Sequence, residues 1–367
     1  MVFKAGVIGC GRIASLLEQD PLREHPCTHA GAYRAVDGVE LVAACDLDPE
    51  RLDNFTAQWG VRRTYLDYAE LLAQPDIEVV SVCTWHDSHA EIVLAAAKQP
   101  QIKAIICEKP ISVNLALARK MVAAAAAHDV KLVVNHERRW QGNYLKVKEL
   151  LDEGIIGPVR TVIGNVLTGA PTAETWQADF DLCGGGPMLH DGTHLVDIMR
   201  YLFGDALWVH GWIESADPGL MVEDTAYGVI MFSSGVKAFL EGGGRRNYFN
   251  FELDIQGRDG RILIGNGLLK LWLRDPSSRY SGFYDLVEQP FASFPHQNSY
   301  VTMVEELINW QNGGAAGSSR GEDGLAALEI IMALYVSAFS NGKTVSLPLK
   351  RPSLAWKKWF RKKQVSP

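Results

Sequence analysis

Short apolar runs alternate with helical stretches over the first third of the chain. The runs are uniformly apolar, which is typical of parallel strands that are covered on both faces of a sheet. The intervening segments, such as Glu91–Lys98 and the alanine-rich Leu115–His128, have the length and composition of helices. The pattern predicts βαβ units whose strands are Lys4–Ile8, Leu41–Cys45, Val79–Cys83, Ala104–Cys107 and Lys131–Val134.

The pattern changes after about Asn135. Helical stretches at Tyr144–Glu153 and within Gly184–Asp205, where a glycine turn runs into a helix, precede a series of runs with a period of two. Such alternation is typical of antiparallel strands with one covered face. The predicted strands are Val209–Ser215, Thr225–Phe232, Val236–Glu241, Phe251–Gln256, Arg261–Ile264 and Leu268–Leu273, followed by helices at Tyr300–Gln311 and Glu322–Ser340.

A chain of 367 residues exceeds the size at which one hydrophobic core keeps growing, so two domains are expected. We place a doubly wound α/β domain with a parallel sheet at residues 1–135. An α/β domain with a large open, mainly antiparallel sheet follows at residues 136–349. Hydrophobic residues at 47% and charged residues at 22% fit a globular protein and exclude a disordered one.

The net charge of −7 is unevenly distributed. Residues 350–367 carry seven basic side chains and no acidic one, so the rest of the chain sits at −14, which argues against nucleic acid as a partner. The six cysteines form no CxxC pair, and four lie in or beside apolar runs. We therefore expect reduced core thiols in the cytoplasm and no metal site. Neither an apolar run of about 18 residues nor a signal peptide is visible.

The first predicted strand ends in a glycine motif of the form GxGxxA. Glycines permit a tight turn and let backbone N–H groups approach a pyrophosphate, while the N-terminus of a following helix favours negative charge. The position directly after the first strand indicates the phosphate-binding turn of a Rossmann domain. The motif is Gly9-Cys10-Gly11-Arg12-Ile13-Ala14, whose small last residue lets the helix pack on the strand.

Asp46 ends the second strand, where an acidic residue binds the adenosine ribose hydroxyls. The next residue is Leu47 and not an arginine that could pair with a 2′-phosphate, so NAD is favoured over NADP as the cofactor. A turn or helix-capping role for Asp46 is the alternative. Asp46 lies 35 residues beyond Gly11 rather than about 20. This spacing indicates an insertion at Ser15–Thr28 that breaks or extends the first helix.

Three further segments carry a resemblance to a known family. Two of them follow predicted strands, and the third is a glycine-rich turn that leads into a helix. With the glycine motif, their order and spacing resemble the Gfo/Idh/MocA oxidoreductases over nearly the whole chain. The segments are Thr84-Trp85-His86-Asp87-Ser88-His89, Glu108-Lys109-Pro110, and Gly184-Gly185-Gly186 with Asp191-Gly192-Thr193-His194-Leu195-Val196-Asp197; Glu223-Asp224 before a strand also fits.

The resemblance implies that the open sheet of the second domain forms a subunit contact, so a homodimer or homotetramer is expected. It also implies hydride transfer between NAD and a secondary alcohol or ketone of a sugar, sugar nucleotide or polyol. Two other functions remain open on this fold. One is a glycosidase that keeps NAD bound and oxidises its sugar transiently. The other is a non-catalytic ligand sensor, against which the presence of both Lys109 and His194 argues.

The resemblance also assigns roles to individual residues. Lys109 and His194 occupy the positions of the family's catalytic lysine and histidine. Alcohol oxidation removes a hydroxyl proton while hydride leaves carbon, and histidine suits the base because its pKa lies near neutral pH. A lysine beside the same hydroxyl can hold and polarise it; a solvated lysine and a structural histidine are the alternatives. The positions near the nicotinamide are Thr84, His89, Glu108 and Pro110, with Trp85 either stacking there or packing on the protein.

The helix around His194 departs from the family pattern. The family has an aspartate four residues before the histidine, but here that position is His190 and the acid is Asp191. Because positions three and four before a helical residue both neighbour it, Asp191 is predicted to orient His194. His190 is predicted to contact substrate or relay a proton, and both residues are candidate substrate-binding groups. Asp197 is the competing orienting acid.

Arg139 and two histidines are open to a functional or a structural interpretation. Arg139 occupies the family's arginine position, where it either binds a substrate carboxylate or phosphate or forms a salt bridge at the domain interface. His25 and His29 lie beside the Ser15–Thr28 insertion. They could reach the site, but ordinary surface histidines are the preferred interpretation.

Residues 350–367 form a basic, aromatic tail. Trp356, Trp359 and Phe360 recur there at helical spacing among lysines and arginines. An amphipathic helix that docks on the protein is the preferred interpretation. Contact with a membrane surface is the alternative, because basic and aromatic faces also suit an interfacial anchor.

Overall fold

The computed structural model describes residues 2–172, 174–217 and 219–350. The Cα positions divide the chain into two compact units. Among the described residues, the first contains 2–141 together with 297–326, and the second contains those of 142–296 together with 327–350. Sequence analysis places the boundary at 135, close to this division, but assigns 297–326 to the second domain.

Several helices begin at a side-chain cap, among them α5 (Leu115–Ala127) and α10 (Ser299–Gln311). Asn114 at the start of α5 and Asn298 at the start of α10 each accept two backbone N–H groups with the side-chain amide oxygen. In chain order the helices are α1 (His29–Ala35), α2 (Pro49–Trp59), α3 (Tyr68–Leu72), α4 (His89–Ala96), α5 (Leu115–Ala127), α6 (Gly142–Asp152), α7 (Phe180–Cys183), α8 (Pro187–His190), α9 (Gly192–Phe203), α10 (Ser299–Gln311) and α11 (Gly321–Phe339).

A six-stranded parallel sheet organises the first unit. The strand order is β3-β2-β1-β4-β5-β6, so the direction of strand addition reverses between β1 and β4. This order is that of a dinucleotide-binding Rossmann sheet, in which ligands bind beyond the carboxyl ends of the strands at the reversal. The predicted Rossmann domain is confirmed. The strands are β1 (Phe3–Ile8), β2 (Val39–Cys45), β3 (Arg63–Tyr65), β4 (Val79–Val82), β5 (Ala104–Cys107) and β6 (Lys131–Val134).

Helix α10 belongs to the first unit because its apolar face joins that unit's core. Tyr300, Met303, Val304 and Leu307 are buried in one cluster with side chains of β1, β2 and α1. Sequence analysis placed this helix in the second domain. A helical period shows that a face is buried but not which element covers it, so the pattern could not assign the helix to a unit.

A nine-stranded mixed sheet organises the second unit, in the order β14-β13-β12-β11-β7-β10-β9-β8-β15. Strand β7 runs parallel to β10, and every other pair is antiparallel, so the predicted mainly antiparallel sheet is confirmed. Sequence analysis missed the central β7 and the edge strands β14 and β15. The strands are β7 (Val159–Leu167), β8 (Ala206–Glu214), β9 (Thr225–Phe232), β10 (Lys237–Gly243), β11 (Asn250–Gly257), β12 (Gly260–Gly265), β13 (Leu268–Pro276), β14 (Tyr284–Gln289) and β15 (Val345–Ser346).

We expect the substitution Met303→Ala to destabilise the first unit. The side chain is fully buried, and removing it leaves a cavity that costs about 2–5 kcal/mol of unfolding free energy. Because α10 packs on α1, hydrogen exchange should rise in His29–Ala35. The exposed Glu305→Ala on the same helix is the control and should change neither quantity. A rise confined to the nine-stranded sheet would contradict the assignment of α10.

Candidate functional site

The glycine turn after β1 has the geometry that a diphosphate requires. Gly9 has a φ of +90°, and a Cβ there would lie 2.8 Å from the carbonyl carbon of Cys83, so only glycine fits. A Cβ at Gly11 would meet only the Nη1 of Arg51, at 3.9 Å, which leaves open space beside the turn. Ala14 is fully buried. The residues present therefore fit a bound dinucleotide.

The first helix is broken after this turn, which is one of the two outcomes that the spacing predicts for the insertion Ser15–Thr28. A single turn closes where Ser15 N donates to Gly11 O, and a 3-10 helix follows at Leu16–Gln19. Regular helix begins only at His29, capped by the side chain of Thr28. Prolines within Ser15–Thr28 lack the N–H that a continuous helix needs. The insertion thus breaks the first helix and does not extend it.

Asp46 at the end of β2 fixes the glycine turn. One carboxylate oxygen accepts a hydrogen bond from Cys10 N at 2.7 Å, and the other accepts one from Asp48 N at 3.0 Å. Arg51 Nη1 lies 3.9 Å from the same carboxylate. Each carboxylate oxygen has a second lone pair, so the turn-fixing role and a ribose contact are compatible.

His89 joins the two loops that follow β4 and β5. Its ring nitrogens lie 3.0 Å from Pro110 O and 3.1 Å from Thr84 O. Burial lowers the pKa of His89 below its ordinary value, so the neutral ring donates to one carbonyl at a time. The neighbouring Trp85 is 47% exposed and is not a core residue. Lys109 is half-buried, and the peptide between it and Pro110 is cis.

Glu108 is a buried carboxylate next to Lys109. Its Oε1 accepts hydrogen bonds from His29 Nε2 at 2.9 Å and from Asn135 Nδ2 at 2.6 Å. Burial opposes ionisation of Glu108, but His29, Lys109 and Asn135 outweigh it and hold the pKa of this carboxyl below its ordinary value. Glu108 therefore stays ionised inside the unit.

The structure corrects the expectation for His29. This residue was expected at the surface, yet its side chain is completely buried in the first unit, whereas His25 is exposed as expected. A signal was present in the sequence, because His29 follows a capping threonine and precedes the small residues Ala30, Gly31 and Ala32. Small residues at the start of a helix allow close packing against a sheet.

Arg139 is held by groups of the first unit. It is 3% exposed, and its Nη1 donates to Ser318 O at 2.8 Å and lies 3.4 Å from Asp323 Oδ1. Arg139 therefore forms an ion pair, but within one unit, whereas the structural alternative was a salt bridge at the domain interface. Substrate binding by Arg139 stays a prediction.

In the second unit, His190 and His194 lie on two short consecutive helices. Helix α8 ends at His190 and α9 begins at Gly192, with Asp191 between them. Asp191 Oδ1 lies 3.9 Å from His190 Nε2, and the ring of Trp176 meets the His190 ring edge to face at 5.6 Å. The expected continuous helix is thus interrupted at Asp191. The predicted roles of these residues, and the choice between Asp191 and the buried Asp197, stay predictions.

Glu223 anchors the turn that leads into these helices. Its carboxylate accepts hydrogen bonds from Gly186 N at 2.7 Å, from Met188 N at 3.1 Å and from the hydroxyl of Tyr335 at 2.8 Å. A Cβ at Gly186 would lie 1.8 Å from Glu223 O, so glycine is required there. Burial raises the pKa of Glu223 to about 7. Sequence analysis noted Glu223 only as part of a motif and missed this function.

Glu18, His25 and Cys27 form a cluster within the insertion, with possible ligand atoms all within 4.8 Å of one another. Glu18 Oε1 already accepts from Cys27 N at 2.6 Å, Cys27 Sγ donates to Leu17 O, and His25 Nε2 lies 3.1 Å from Asp20 O. These hydrogen bonds fold the insertion on itself. All six cysteines are buried free thiols.

Of the predicted tail, only Lys350 is among the described residues, so its two interpretations stay predictions. In the described part of the chain, none of the helices combines the length and the apolar character needed to cross a membrane.

Comparison with models of protein families identifies the family that this chain matches. Residues 3–136 match the model described as "Oxidoreductase family, NAD-binding Rossmann fold", and residues 144–263 match the model described as "GFO/IDH/MocA C-terminal domain". The two models together match well over half of the chain. The predicted resemblance and the predicted cofactor, NAD, are confirmed.

Individual relatives agree with this match. The chain is 29% identical to a D-apiose dehydrogenase from Paraburkholderia graminis, over 94% of this chain and 90% of the relative. It is 29% identical to a myo-inositol 2-dehydrogenase from Thermotoga maritima, over 89% and 93%. An oxidoreductase from Agrobacterium radiobacter, solved in complex with NAD+, L-tartaric acid and magnesium, superposes with a TM-score of 0.75 at 25% identity, covering 94% of this chain and 98% of that one.

The raised pKa of Glu223 predicts a pH dependence of stability. The carboxyl titrates near 4.5 when unfolded and near 7 when folded, so its stabilising protonated form is complete below 4.5 and is lost as the pH rises through 7. We expect the unfolding free energy to fall by about 2–3 kcal/mol between pH 5 and 8 from this group. Melting temperatures of the wild type and Glu223→Gln across this range test it, because glutamine does not titrate.

The exposed Glu288→Gln, in the same unit, is the matched control and should follow the wild-type curve. Parallel curves for the wild type and Glu223→Gln from pH 5 to 8 would contradict the prediction.

Proposed function

The chain belongs to the Gfo/Idh/MocA oxidoreductase family, and from that premise we propose that it is an NAD-dependent dehydrogenase or reductase. Its substrate is a secondary alcohol or ketone of a sugar, sugar nucleotide or polyol. One observation carries the proposal: the glycine turn, Asp46 and the loop of Glu108–Pro110 all follow carboxyl ends of strands in one parallel sheet. The names of the D-apiose and myo-inositol dehydrogenases support the substrate class.

When bound, NAD accepts or supplies a hydride at its nicotinamide ring, which leaves the hydroxyl proton to the protein. Lys109 donates a hydrogen bond from its ammonium group to the substrate oxygen. His194 takes the hydroxyl proton during oxidation and returns it during reduction. Asp191 orients the imidazole, and His190 binds the substrate. The resemblance of the two motifs to the family pattern supports these roles.

The dinucleotide is held by backbone and carboxylate groups in this proposal. N–H groups of the turn at Gly9–Ala14 bind the diphosphate, and Asp46 accepts hydrogen bonds from the adenosine ribose. Arg12, within this turn, is exposed, and its charge would favour binding of the phosphates. The Glu108–Pro110 and Thr84–His89 loops border the nicotinamide.

We propose that copies of the chain associate through the open face of the nine-stranded sheet. Large apolar side chains on four adjacent strands are 36–49% exposed: Ile163 on β7, Phe239 on β10, Tyr227 on β9 and Trp212 on β8. Phe239 pairs in register with Ile163, and Tyr227 pairs with Trp212. Exposed apolar side chains grouped in this way on one sheet favour burial against another protein surface.

The substitution Lys109→Ala tests the redox assignment. We expect NADH formation from a panel of sugars, inositols and sugar nucleotides, followed at 340 nm, to lose about 100- to 10,000-fold in kcat. The affinity for NADH, measured by fluorescence, should stay within a few fold. Lys120→Ala, an exposed lysine of the same unit, should match the wild type. Cleavage of a glycoside without net NADH formation would instead favour the glycosidase.

The substitution Phe239→Asp tests the subunit contact. A carboxylate in the centre of a buried apolar patch is costly to desolvate, so the variant should run at a smaller mass than the wild type in size-exclusion chromatography with light scattering. Leu47→Asp, at a leucine that is 88% exposed in the first unit, should leave the mass unchanged. Equal masses for the wild type and Phe239→Asp would reject this interface.

A further inference from the structure

His29 has the surroundings of a positioning group and not of a packing residue. It is the first residue of α1, it is completely buried, and both ring nitrogens lie at hydrogen-bonding distance from polar side chains. Nδ1 lies 2.9 Å from Ser81 Oγ on β4, and Nε2 lies 2.9 Å from Glu108 Oε1 at the end of β5. The ring of Tyr300 meets it edge to face at 5.9 Å.

Successive hydrogen bonds lead through His29 to the carboxylate of Glu108. The hydroxyl of Tyr33 lies 2.7 Å from Ser81 Oγ, and Ser81 Oγ lies 2.9 Å from His29 Nδ1. Because the ionised carboxylate of Glu108 only accepts hydrogen bonds, the ring carries a proton on Nε2 and donates a hydrogen bond from it to Glu108. This series of hydrogen bonds therefore ends on a carboxylate with one N–H aimed at it.

Glu108 in turn connects His29 to the backbone of the loop that carries Lys109. Its Oε1 also accepts from Asn135, and its Oε2 accepts from the backbone N–H of Lys109 at 3.2 Å. A buried carboxylate that loses a donor is strongly destabilised and moves or takes up a proton. The position of the Lys109 backbone thus depends on the bond between His29 and Glu108.

We propose that His29 is a positioning residue for Lys109, acting through Glu108, an inference that rests on the proposed function for its consequence in turnover. The insertion Ser15–Thr28 has a part in this arrangement. Glu18 Oε1 accepts from Thr28 Oγ1 at 3.0 Å, and Thr28 in turn caps α1. The insertion therefore sets the start of the helix that carries His29.

Two substitutions of His29 test its two hydrogen bonds separately, because each removes one bond and keeps the other. Asparagine places its amide near the position of Nδ1, so His29→Asn keeps a contact with Ser81 and removes the donor to Glu108. Glutamine reaches the position of Nε2, so His29→Gln keeps the donor to Glu108 and removes the contact with Ser81. Each variant loses one buried hydrogen bond, but His29→Asn takes its donor from a buried carboxylate and should show the larger decrease in Tm.

The first readout is the reactivity of the Lys109 amine towards a trace acylating reagent, measured by mass spectrometry against the exposed Lys120. We expect His29→Asn to change the relative rate at Lys109 at least about threefold and His29→Gln to leave it within about twofold, because a displaced loop alters the surroundings of the amine. This readout needs neither cofactor nor substrate.

The second readout is turnover. A displacement of about 1 Å at a reacting group costs about 100-fold, so kcat should fall about 10- to 100-fold in His29→Asn, with little change in KM for NAD. His29→Gln should retain most of the wild-type kcat. If no sugar reduces NAD with the wild type but the labelling still separates the two variants, the positioning inference is supported and only the proposed function fails.

Equal labelling and equal turnover in the two variants would overturn the proposal. If His29→Asn is not recovered folded, Glu108→Gln replaces it. That variant removes the charge on which His29 acts, so it should change the labelling of Lys109, and His29→Gln should add nothing to it. An unchanged labelling rate in Glu108→Gln would also overturn the proposal.

Discussion

Carboxylates that accept backbone N–H groups hold the loops on which the proposed chemistry depends. Asp46 accepts from the glycine turn, Glu108 from the backbone of Lys109, and Glu223 from the turn that precedes His194. A loop without such an acceptor satisfies its N–H groups with water and samples many conformations. Each unit thus contains at least one buried or nearly buried carboxylate that fixes a loop by accepting hydrogen bonds from its backbone N–H groups.

Glu108 and Glu223 both fix a stretch of backbone, but their pKa values are shifted in opposite directions. Glu108 has the donors of His29 and Asn135 and the charge of Lys109 nearby, which together outweigh burial and favour the ionised form. Glu223 has only backbone N–H groups and the hydroxyl of Tyr335, so burial dominates and the protonated form persists to about pH 7. The number and charge of the donors, and not burial alone, decide the charge of a buried acid.

The sequence predicted the fold well where burial is visible in a local hydrophobic pattern. It predicted the fold poorly where burial depends on contact with an element distant in the chain. The apolar runs of the parallel sheet located all but the short Arg63–Tyr65 strand of that sheet. Strand Val159–Leu167 was missed because Gly164 weakens its strand signal. That glycine is explained only by the fold, since a Cβ there would lie 2.1 Å from the Cε of Met199 on α9.

In the candidate site, too, local motifs located some features and contacts between distant residues could not be predicted. Motifs at the ends of strands located the loops of Asp46 and Lys109, because the carboxyl ends of parallel strands meet at one edge. The contact between His29 and Glu108 could not be predicted, since the two residues are 79 positions apart in the chain and the local signal for His29 indicates burial but not a partner. Trp85 and His190, which sequence analysis placed near the nicotinamide and the substrate, are not among the residues of this supporting contact. Substrate choice is therefore expected to follow such side chains, whereas loss of a supporting carboxylate would impair every substrate alike.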